Sequence, residues 1–198
     1  ALPEGRVALV ALTDNEPEWE ATAKDPGVNY IAYDERGLLA PYRSRIARML
    51  SRAREQSEIV IVSAHVGPNW GQPSRSIQAL AHDLIDMGAD LYWGHSNHTP
   101  QGIECYKGNA ILYSTGDFVD DYWVDTEERN DLTFLFMLQV EQGRIARIRL
   151  YPACIEDLGV RTAKEEERRF LERTMQAKCE AFGTLMRVEE QVGVITVA

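Results

Sequence analysis

The feature that most constrains the fold is an apolar run that recurs on either side of one helical segment. Residues 58–65 read Glu-Ile-Val-Ile-Val-Ser-Ala-His, and residues 90–95 read Asp-Leu-Tyr-Trp-Gly-His. Runs of this kind are typical of strands buried on both faces of a parallel sheet. Residues 74–88 between them predict a helix with one apolar face, made by Ile77, Leu80, Ala81, Leu84 and Ile85. Together they predict a strand-helix-strand crossover unit in an α/β fold.

Both predicted strands end in a histidine, His65 and His95, and His98 follows three positions later. Parallel strands of one crossover unit end at the same edge of the sheet, about 4.8 Å apart if they are neighbours. Three imidazoles at one edge favour a divalent transition metal such as zinc, manganese or iron. A single histidine at a strand end is more often a hydrogen-bonded loop residue, so the metal hypothesis depends on the grouping. His82 lies off the apolar stripe of its helix and is interpreted as a surface residue.

Polar residues beyond the predicted strand ends are candidates for contact with a substrate. Asn69 lies in a loop directly after His65, where its amide could bind a phosphate oxygen or an oxyanion; turn formation explains it equally well. Trp70 could form an apolar wall beside it. Asp117 follows another predicted strand and could orient a histidine or act as an acid or base. Hydrogen bonding within its loop is the alternative for Asp117.

Several motifs in this region resemble the bacterial CapA family of capsule, or poly-γ-glutamate, synthesis proteins, which belongs to the calcineurin-like metallophosphoesterase superfamily. They are His65-Val-Gly-Pro-Asn-Trp70, Gly94-His-Ser-Asn-His98, Gln101-Gly-Ile-Glu-Cys-Tyr-Lys-Gly108, Ile111-Leu-Tyr-Ser-Thr-Gly-Asp-Phe118 and the helical residues 79–91. The resemblance implies a calcineurin-like metallophosphoesterase fold, a β sandwich flanked by helices. It also implies a centre of one or two metal ions, with His65, His95 and His98 among its ligands.

Two departures from the family pattern concern this centre. The superfamily usually has one residue between its closing histidines, whereas two stand here, as is common in CapA-like proteins. The family often has asparagine at the position of Asp117. Family members also carry acidic metal ligands and an asparagine-histidine motif in an amino-terminal half that this sequence does not contain. Residues 1–198 are therefore expected to form a single domain that is the carboxyl part of a longer one, with the missing amino-terminal portion as a partner.

Composition restricts the classes of partner. Thirty-one acidic against 21 basic residues give a net charge of -10, which argues against nucleic-acid binding because that requires a basic surface. The expected partner is a small-molecule substrate or a polymer substrate, a class that includes anionic substrates. No apolar run reaches the roughly 20 residues of a membrane span. Three cysteines without ligand-like spacing predict free thiols, and the compartment, cytoplasmic or cell-envelope, stays open.

The remaining segments predict a frame for this region. Residues 14–37 are interpreted as a polar connector near the cleft, and the arginine-rich face of the helix at 42–55 as solvated surface. A capping box at Thr162 and Glu165 predicts a helix that ends at Gly183. Strands are predicted at 6–13, 103–106, 110–113, 133–141, 144–151 and 187–197.

Two functions from different classes follow. The first is a metal-dependent hydrolase of the phosphoesterase type that takes part in capsule or poly-γ-glutamate synthesis. The second is a non-catalytic accessory or scaffold protein of a complex that makes an anionic polymer. A serine hydrolase that uses Ser63 or Ser114 with a histidine is a more distant third, because no nucleophile elbow is present.

Overall fold

The computed structural model describes residues 5–197 and has a mixed sheet as its first layer. Its strands are β1 (Val7–Thr13), β4 (Ile59–His65), β5 (Leu91–Gly94), β7 (Asn109–Leu112) and β6 (Ile103–Tyr106), in that order across the sheet. The first four are mutually parallel, and β6 pairs antiparallel with β7. This arrangement confirms the predicted crossover unit and places β4 and β5 side by side.

Two helices cover one face of this sheet. They are α1 (Ala40–Arg54) and α2 (Arg75–Asp86), and the Ser74 hydroxyl caps α2 by accepting the Ile77 N–H. Their buried side chains form one apolar cluster with those of β1, β4 and β5. The connector before α1 contains a short 3-10 helix (Pro17–Trp19) and a small hairpin of β2 (Tyr33–Asp34) and β3 (Gly37–Leu38).

A second, antiparallel sheet packs on the other face. It consists of β8 (Leu132–Glu141), β9 (Arg144–Glu156), β10 (Gly159–Thr162), β11 (Arg187–Glu189) and β12 (Val192–Thr196). The central strand β9 pairs with β8 on one side and with β10 and β12 on the other. A second apolar cluster joins both sheets to α3 (Glu165–Glu180). The layers are therefore helices, mixed sheet, and antiparallel sheet with α3.

Two sequence predictions differ from the structure in their bounds. The segment 187–197 is a hairpin of β11 and β12, turned at Glu190 and Gln191, both with positive φ. Thr162 ends β10, and α3 begins three residues after it, where the Glu167 carboxylate accepts the Lys164 N–H at 2.6 Å. The strand β10 has only four residues and was not recognised in the sequence. Thr162 was therefore interpreted as the cap of the helix instead of the end of a strand.

One surface interpretation needs correction. His82 is half-buried: its Nε2 lies 2.9 Å from Glu104 Oε1, and its ring stacks on Tyr106 with centroids 4.0 Å apart. The arginine-rich face of α1 is solvated, as predicted, with four exposed arginines: Arg43, Arg48, Arg52 and Arg54. Ion pairs also form on this face, joining Arg43 to Asp83, Arg45 to Glu20 and Arg54 to Asp90.

The three cysteines are free thiols, as predicted. None of the helices in residues 5–197 combines the length and apolar composition that crossing a membrane requires.

Candidate functional site

The carboxyl ends of β4 and β5 bring two of the three predicted histidines together. His65 is the last residue of β4, and His95 follows β5 directly. Their ring centroids lie 5.3 Å apart, with the planes tilted by 54°. The parallel pairing of the strands produces this contact, because it aligns Ala64 with Gly94 and so delivers the next two residues to the same edge.

The environment of His95 favours its neutral form. Burial lowers the pKa of His95 below its usual value, and the neighbouring His65 lowers it further. Ser63 Oγ lies 3.1 Å from His95 Nε2, so one ring nitrogen already has a hydrogen-bond partner. A neutral imidazole keeps a nitrogen lone pair that can bind a metal or accept a proton.

His98 has a different set of neighbours. It adopts a positive φ of 65°, and its Nδ1 lies 3.0 Å from both carboxylate oxygens of Asp117. Two aromatic rings contact it, those of Trp70 and Tyr122, with centroids 5.9 and 5.2 Å from the His98 ring. Burial raises the pKa of the Asp117 carboxyl, and the adjacent His98 opposes that rise. Asp117 thus makes the contact through which a carboxylate orients a histidine.

The residues of this edge fit a metal ion only in part. The imidazoles of His65 and His95 could supply two donors, half of a tetrahedral zinc set. Within residues 5–197, no group of three or more His, Cys, Asp or Glu side chains is arranged to hold an ion. The three histidines therefore do not form a ready three-ligand site, and their assignment to a metal stays a prediction.

The loop after His65 is held by hydrogen bonds from the segment that follows His95. Asn97 donates through Nδ2 to the carbonyl of Gly71 at 3.1 Å, and its carbonyl accepts the Trp70 N–H at 3.0 Å. The Ser96 hydroxyl donates to the Gly67 carbonyl at 2.8 Å. Asn69 lies exposed at the tip of this loop. The loop places the Trp70 ring beside His98, and the role of Asn69 in substrate binding stays a prediction.

Asp14 is a residue of this edge that sequence reasoning missed. It follows β1 directly, and its carboxylate accepts the Gly67 N–H at 3.1 Å and the Tyr33 hydroxyl at 2.8 Å. The buried Tyr92 hydroxyl, close to this group, has no hydrogen-bond partner among the described residues. His65 and His95 were singled out because each is a polar residue at a strand end, and Asp14 meets the same criterion. It was missed because residues 14–37 were interpreted as a connector.

Comparison with known proteins supports the resemblance seen in the sequence. The family model described as bacterial capsule synthesis protein PGA_cap matches residues 1–122. The chain belongs to this family. All five predicted site residues lie within the match, namely His65, Asn69, His95, His98 and Asp117.

Several curated relatives share this family resemblance. A probable polyglutamine synthesis accessory protein of Mycobacterium tuberculosis is 31% identical over 183 residues, 89% of this chain and 47% of the relative. The PGA biosynthesis protein CapA of Bacillus subtilis is 38% identical over 82 residues, 40% of this chain and 22% of the relative. The capsule biosynthesis protein CapA of Bacillus anthracis is 32% identical over 101 residues, 48% of this chain and 25% of the relative. The chain thus spans about half the length of the mycobacterial relative.

Proposed function

We propose that this chain is part of a metal-dependent hydrolase of the phosphoesterase type that acts in making or processing a capsule polymer of glutamate or glutamine units. The observation that carries the proposal is the contact between the His65 and His95 rings at the ends of adjacent parallel strands, 5.3 Å between centroids. Ligand and substrate sites of open α/β sheets collect at this edge. The polymer class follows from the names of the relatives.

The residues have separate roles in this proposal. His65 and His95 would hold one divalent ion, zinc, manganese or iron, through neutral imidazole nitrogens, with further ligands from outside this pair. A second ion, as in a binuclear metallophosphoesterase centre, would need more ligands still. When bound, such an ion polarises a phosphoryl or acyl oxygen and lowers the pKa of a bound water. Asp117 fixes the His98 ring through Nδ1, and the Asn69 amide binds a substrate oxygen.

Metal content and hydrolysis measured together test the proposal. The full-length protein that contains this chain is loaded with zinc, manganese or iron(II), dialysed and analysed for bound metal, and then assayed with para-nitrophenyl phosphate and its diester. We expect His95→Ala to lower the amount of bound metal and the rate together. His82→Ala is the matched control, because it removes a histidine that pairs with Glu104 away from this edge.

Two results would contradict the assigned metal site. If none of these metals binds to the wild-type protein, or if turnover survives His95→Ala, the assigned site is wrong. Ser63→Ala separates metal-based from serine-based chemistry, since Ser63 Oγ lies 3.1 Å from His95 Nε2. If Ser63 is the nucleophile, the Ser63→Ala variant loses hydrolytic activity. If a metal-activated water is the nucleophile, the variant keeps that activity.

A non-catalytic accessory role is the second candidate. The mycobacterial relative carries the word accessory in its name, and the described residues lack a group of three metal-binding side chains. In that role the chain binds the polymer or its synthetic enzyme without turnover. Polymer binding by a protein that neither retains metal nor hydrolyses either phosphoester would favour it.

A further inference from the structure

A small cavity of about 220 Å³ lies between α3 and the residues that follow His98. Thr99 and Pro100 line it, whereas none of the five predicted site residues does. Its apolar wall comes from β8 and α3 and is formed by Leu132, Phe134, Phe170, Leu171 and Met175. A concave, mostly apolar surface with a few polar groups is the general form of a small-molecule site.

Four charged side chains also line this cavity, and three of them are exposed or already paired. Glu127 and Glu128 are exposed. Arg129 donates through Nε and Nη2 to the two carboxylate oxygens of Asp131, both at 2.8 Å. Within residues 5–197, the fourth side chain, Lys178, is bonded to a backbone carbonyl and to no carboxylate. The cavity therefore holds one amine that no acidic side chain neutralises.

Lys178 is partly buried, and its Nζ donates to the Pro100 carbonyl at 2.7 Å. Burial lowers the pKa of this amine below its usual range, and the nearby Glu128 opposes that fall. A lysine removed from water is more often neutral, and the neutral amine is the nucleophile that attacks carbonyl groups. The other three lysines of the chain are exposed: Lys24, Lys107 and Lys164.

We propose that Lys178 is a covalent binding site for small, uncharged apolar aldehydes. The carbonyl carbon of the aldehyde becomes bonded to Nζ as an imine, and the apolar body of the molecule occupies the cavity. This activity is separate from the hydrolase proposed for the histidine edge and does not depend on it.

The reaction needs no further reagent. The Nζ lone pair forms a bond to the carbonyl carbon, and the π electrons of the carbonyl group move to its oxygen. Both protons of the neutral amine pass to that oxygen, the C–O bond breaks, and water leaves. The product is a C=N double bond at Lys178, and nothing is oxidised or reduced.

The lining of the cavity decides which carbonyl compounds fit. Apolar walls favour a hydrocarbon body, because its burial removes apolar surface from water. An apolar cavity of about 150 Å³ accepts benzene, so the volume here suits a single aromatic ring. Glu127 and Glu128 repel an anion, and burial disfavours the ammonium ion that would pair with a bound carboxylate. These features favour an uncharged aldehyde over a carboxylate.

Reductive labelling tests the proposal in the full-length protein that contains this chain. The protein is incubated at pH 7 with benzaldehyde and sodium cyanoborohydride, which delivers hydride to the imine carbon and leaves a stable secondary amine. Peptide mass spectrometry then gives the rate of labelling at each lysine. We expect Lys178 to react at least about fivefold faster than the three exposed lysines, because lowering a pKa by one unit raises the neutral fraction of an amine about tenfold.

Three other compounds test whether the cavity selects the reagent. Pyrene-1-carboxaldehyde is a large fused-ring aldehyde that exceeds the cavity, and we expect the preference for Lys178 over the exposed lysines to disappear with it. The anionic 4-carboxybenzaldehyde should lower that preference at least about threefold, because Glu127 and Glu128 repel it. Excess benzoate, a carboxylate of the size of benzaldehyde, should leave the rate of labelling at Lys178 unchanged.

A variant that fills the cavity gives a matched comparison. Thr174 lines the cavity one turn before Lys178 on α3. Thr174→Phe should place a ring where the aldehyde binds, and labelling of Lys178 should fall to the rate of the exposed lysines. Ala177→Phe is the control, because Ala177 is exposed on the same helix and does not line the cavity. The comparison of aldehydes uses the wild-type protein, so it tests the proposal even if Thr174→Phe does not fold.

Four results would overturn the proposal. They are labelling of Lys178 by benzaldehyde no faster than that of the exposed lysines, an undiminished preference for Lys178 with pyrene-1-carboxaldehyde, unchanged labelling in a folded Thr174→Phe variant, and protection of Lys178 by benzoate. The last would mean that the cavity binds a carboxylate instead. None of these measurements involves metal or phosphoester hydrolysis, so their outcome is independent of the hydrolase proposal.

Discussion

Asp83 joins three elements through one buried carboxylate. It lies on α2, accepts the Leu38 N–H of β3 at 3.1 Å and forms an ion pair with Arg43 of α1. A buried acceptor that satisfies a backbone donor contributes more than an exposed ion pair, because its removal leaves that donor without a partner and away from water.

We predict that Asp83→Ala lowers the free energy of unfolding by about 2–3 kcal/mol, the range for a buried charged hydrogen-bonding group. Asp86→Ala on the same helix is the control, because Asp86 is exposed and pairs with the exposed Lys107. Its effect should stay below about 1 kcal/mol. Urea unfolding followed by circular dichroism measures both, and equal effects would show that burial of Asp83 is not what matters.

The strands and helices that were predicted best are those whose residues carry a local hydrophobic pattern. The segments β4, α2 and β5 follow from apolar periodicity, and the contact of His65 with His95 follows from the parallel crossover. The hairpins of β6 with β7 and of β8 with β9 turn at Lys107-Gly108 and Gln142-Gly143, where glycine readily adopts the positive φ that such turns require.

Contacts between residues far apart in the chain could not be predicted in this way. Asp14 reaches Gly67 across 53 positions, and His82 reaches Glu104 across 22. Nothing in the residue spacing of either pair marks the contact, because it depends on how β1, α2 and β6 are packed. The hairpin of β11 and β12 was missed because its turn, Glu190-Gln191, lacks the glycine that usually marks such turns.

The amino-terminal end of α3 makes the stability of the fold dependent on pH. Arg161 donates two hydrogen bonds to the Glu167 carboxylate, at 2.7 and 2.8 Å, and holds the pKa of Glu167 at about 2. The usual glutamate pKa is about 4.3. Because the folded protein has the lower pKa, the unfolded chain binds more protons between these values. The stabilisation is thus present above about pH 4.3 and is lost as the pH falls toward 2.

We therefore predict that Glu167→Gln lowers Tm at pH 6 and flattens the fall of Tm between pH 5 and 2. Glu165→Gln is the control, because Glu165 is exposed and forms its ion pair with the exposed Arg169 one turn later. Thermal unfolding at a series of pH values measures the effect. If Tm falls between pH 5 and 2 as steeply in Glu167→Gln as in the wild type, Glu167 is not the source of this pH dependence. Carbon-13 NMR titration of Glu167 measures its pKa directly.

At the scale of the whole molecule, the mixed sheet has one open edge at β1. Within the described residues, β1 pairs with β4 on one side, and only Thr13, through its bridge to Tyr30, has a strand-like partner on the other. Leu9 is 66% exposed and Val7 is 50% exposed. Parallel sheets are usually covered on both faces, and an open apolar edge strand is a site for pairing with another strand.

This edge predicts that the 198-residue chain self-associates as its concentration rises, and that Leu9→Lys suppresses the association. A lysine on an edge strand blocks pairing, since it places a charge where a second strand would pack. The fold should be retained, because an exposed substitution changes stability by only about 0.5 kcal/mol. Sedimentation velocity over a series of concentrations measures the association. Leu185→Lys is the matched control, because Leu185 has nearly the same exposure, 67%, and lies in the connection between α3 and β11. A wild-type protein that stays monomeric throughout, or equal suppression by both variants, would show that β1 does not mediate pairing between molecules.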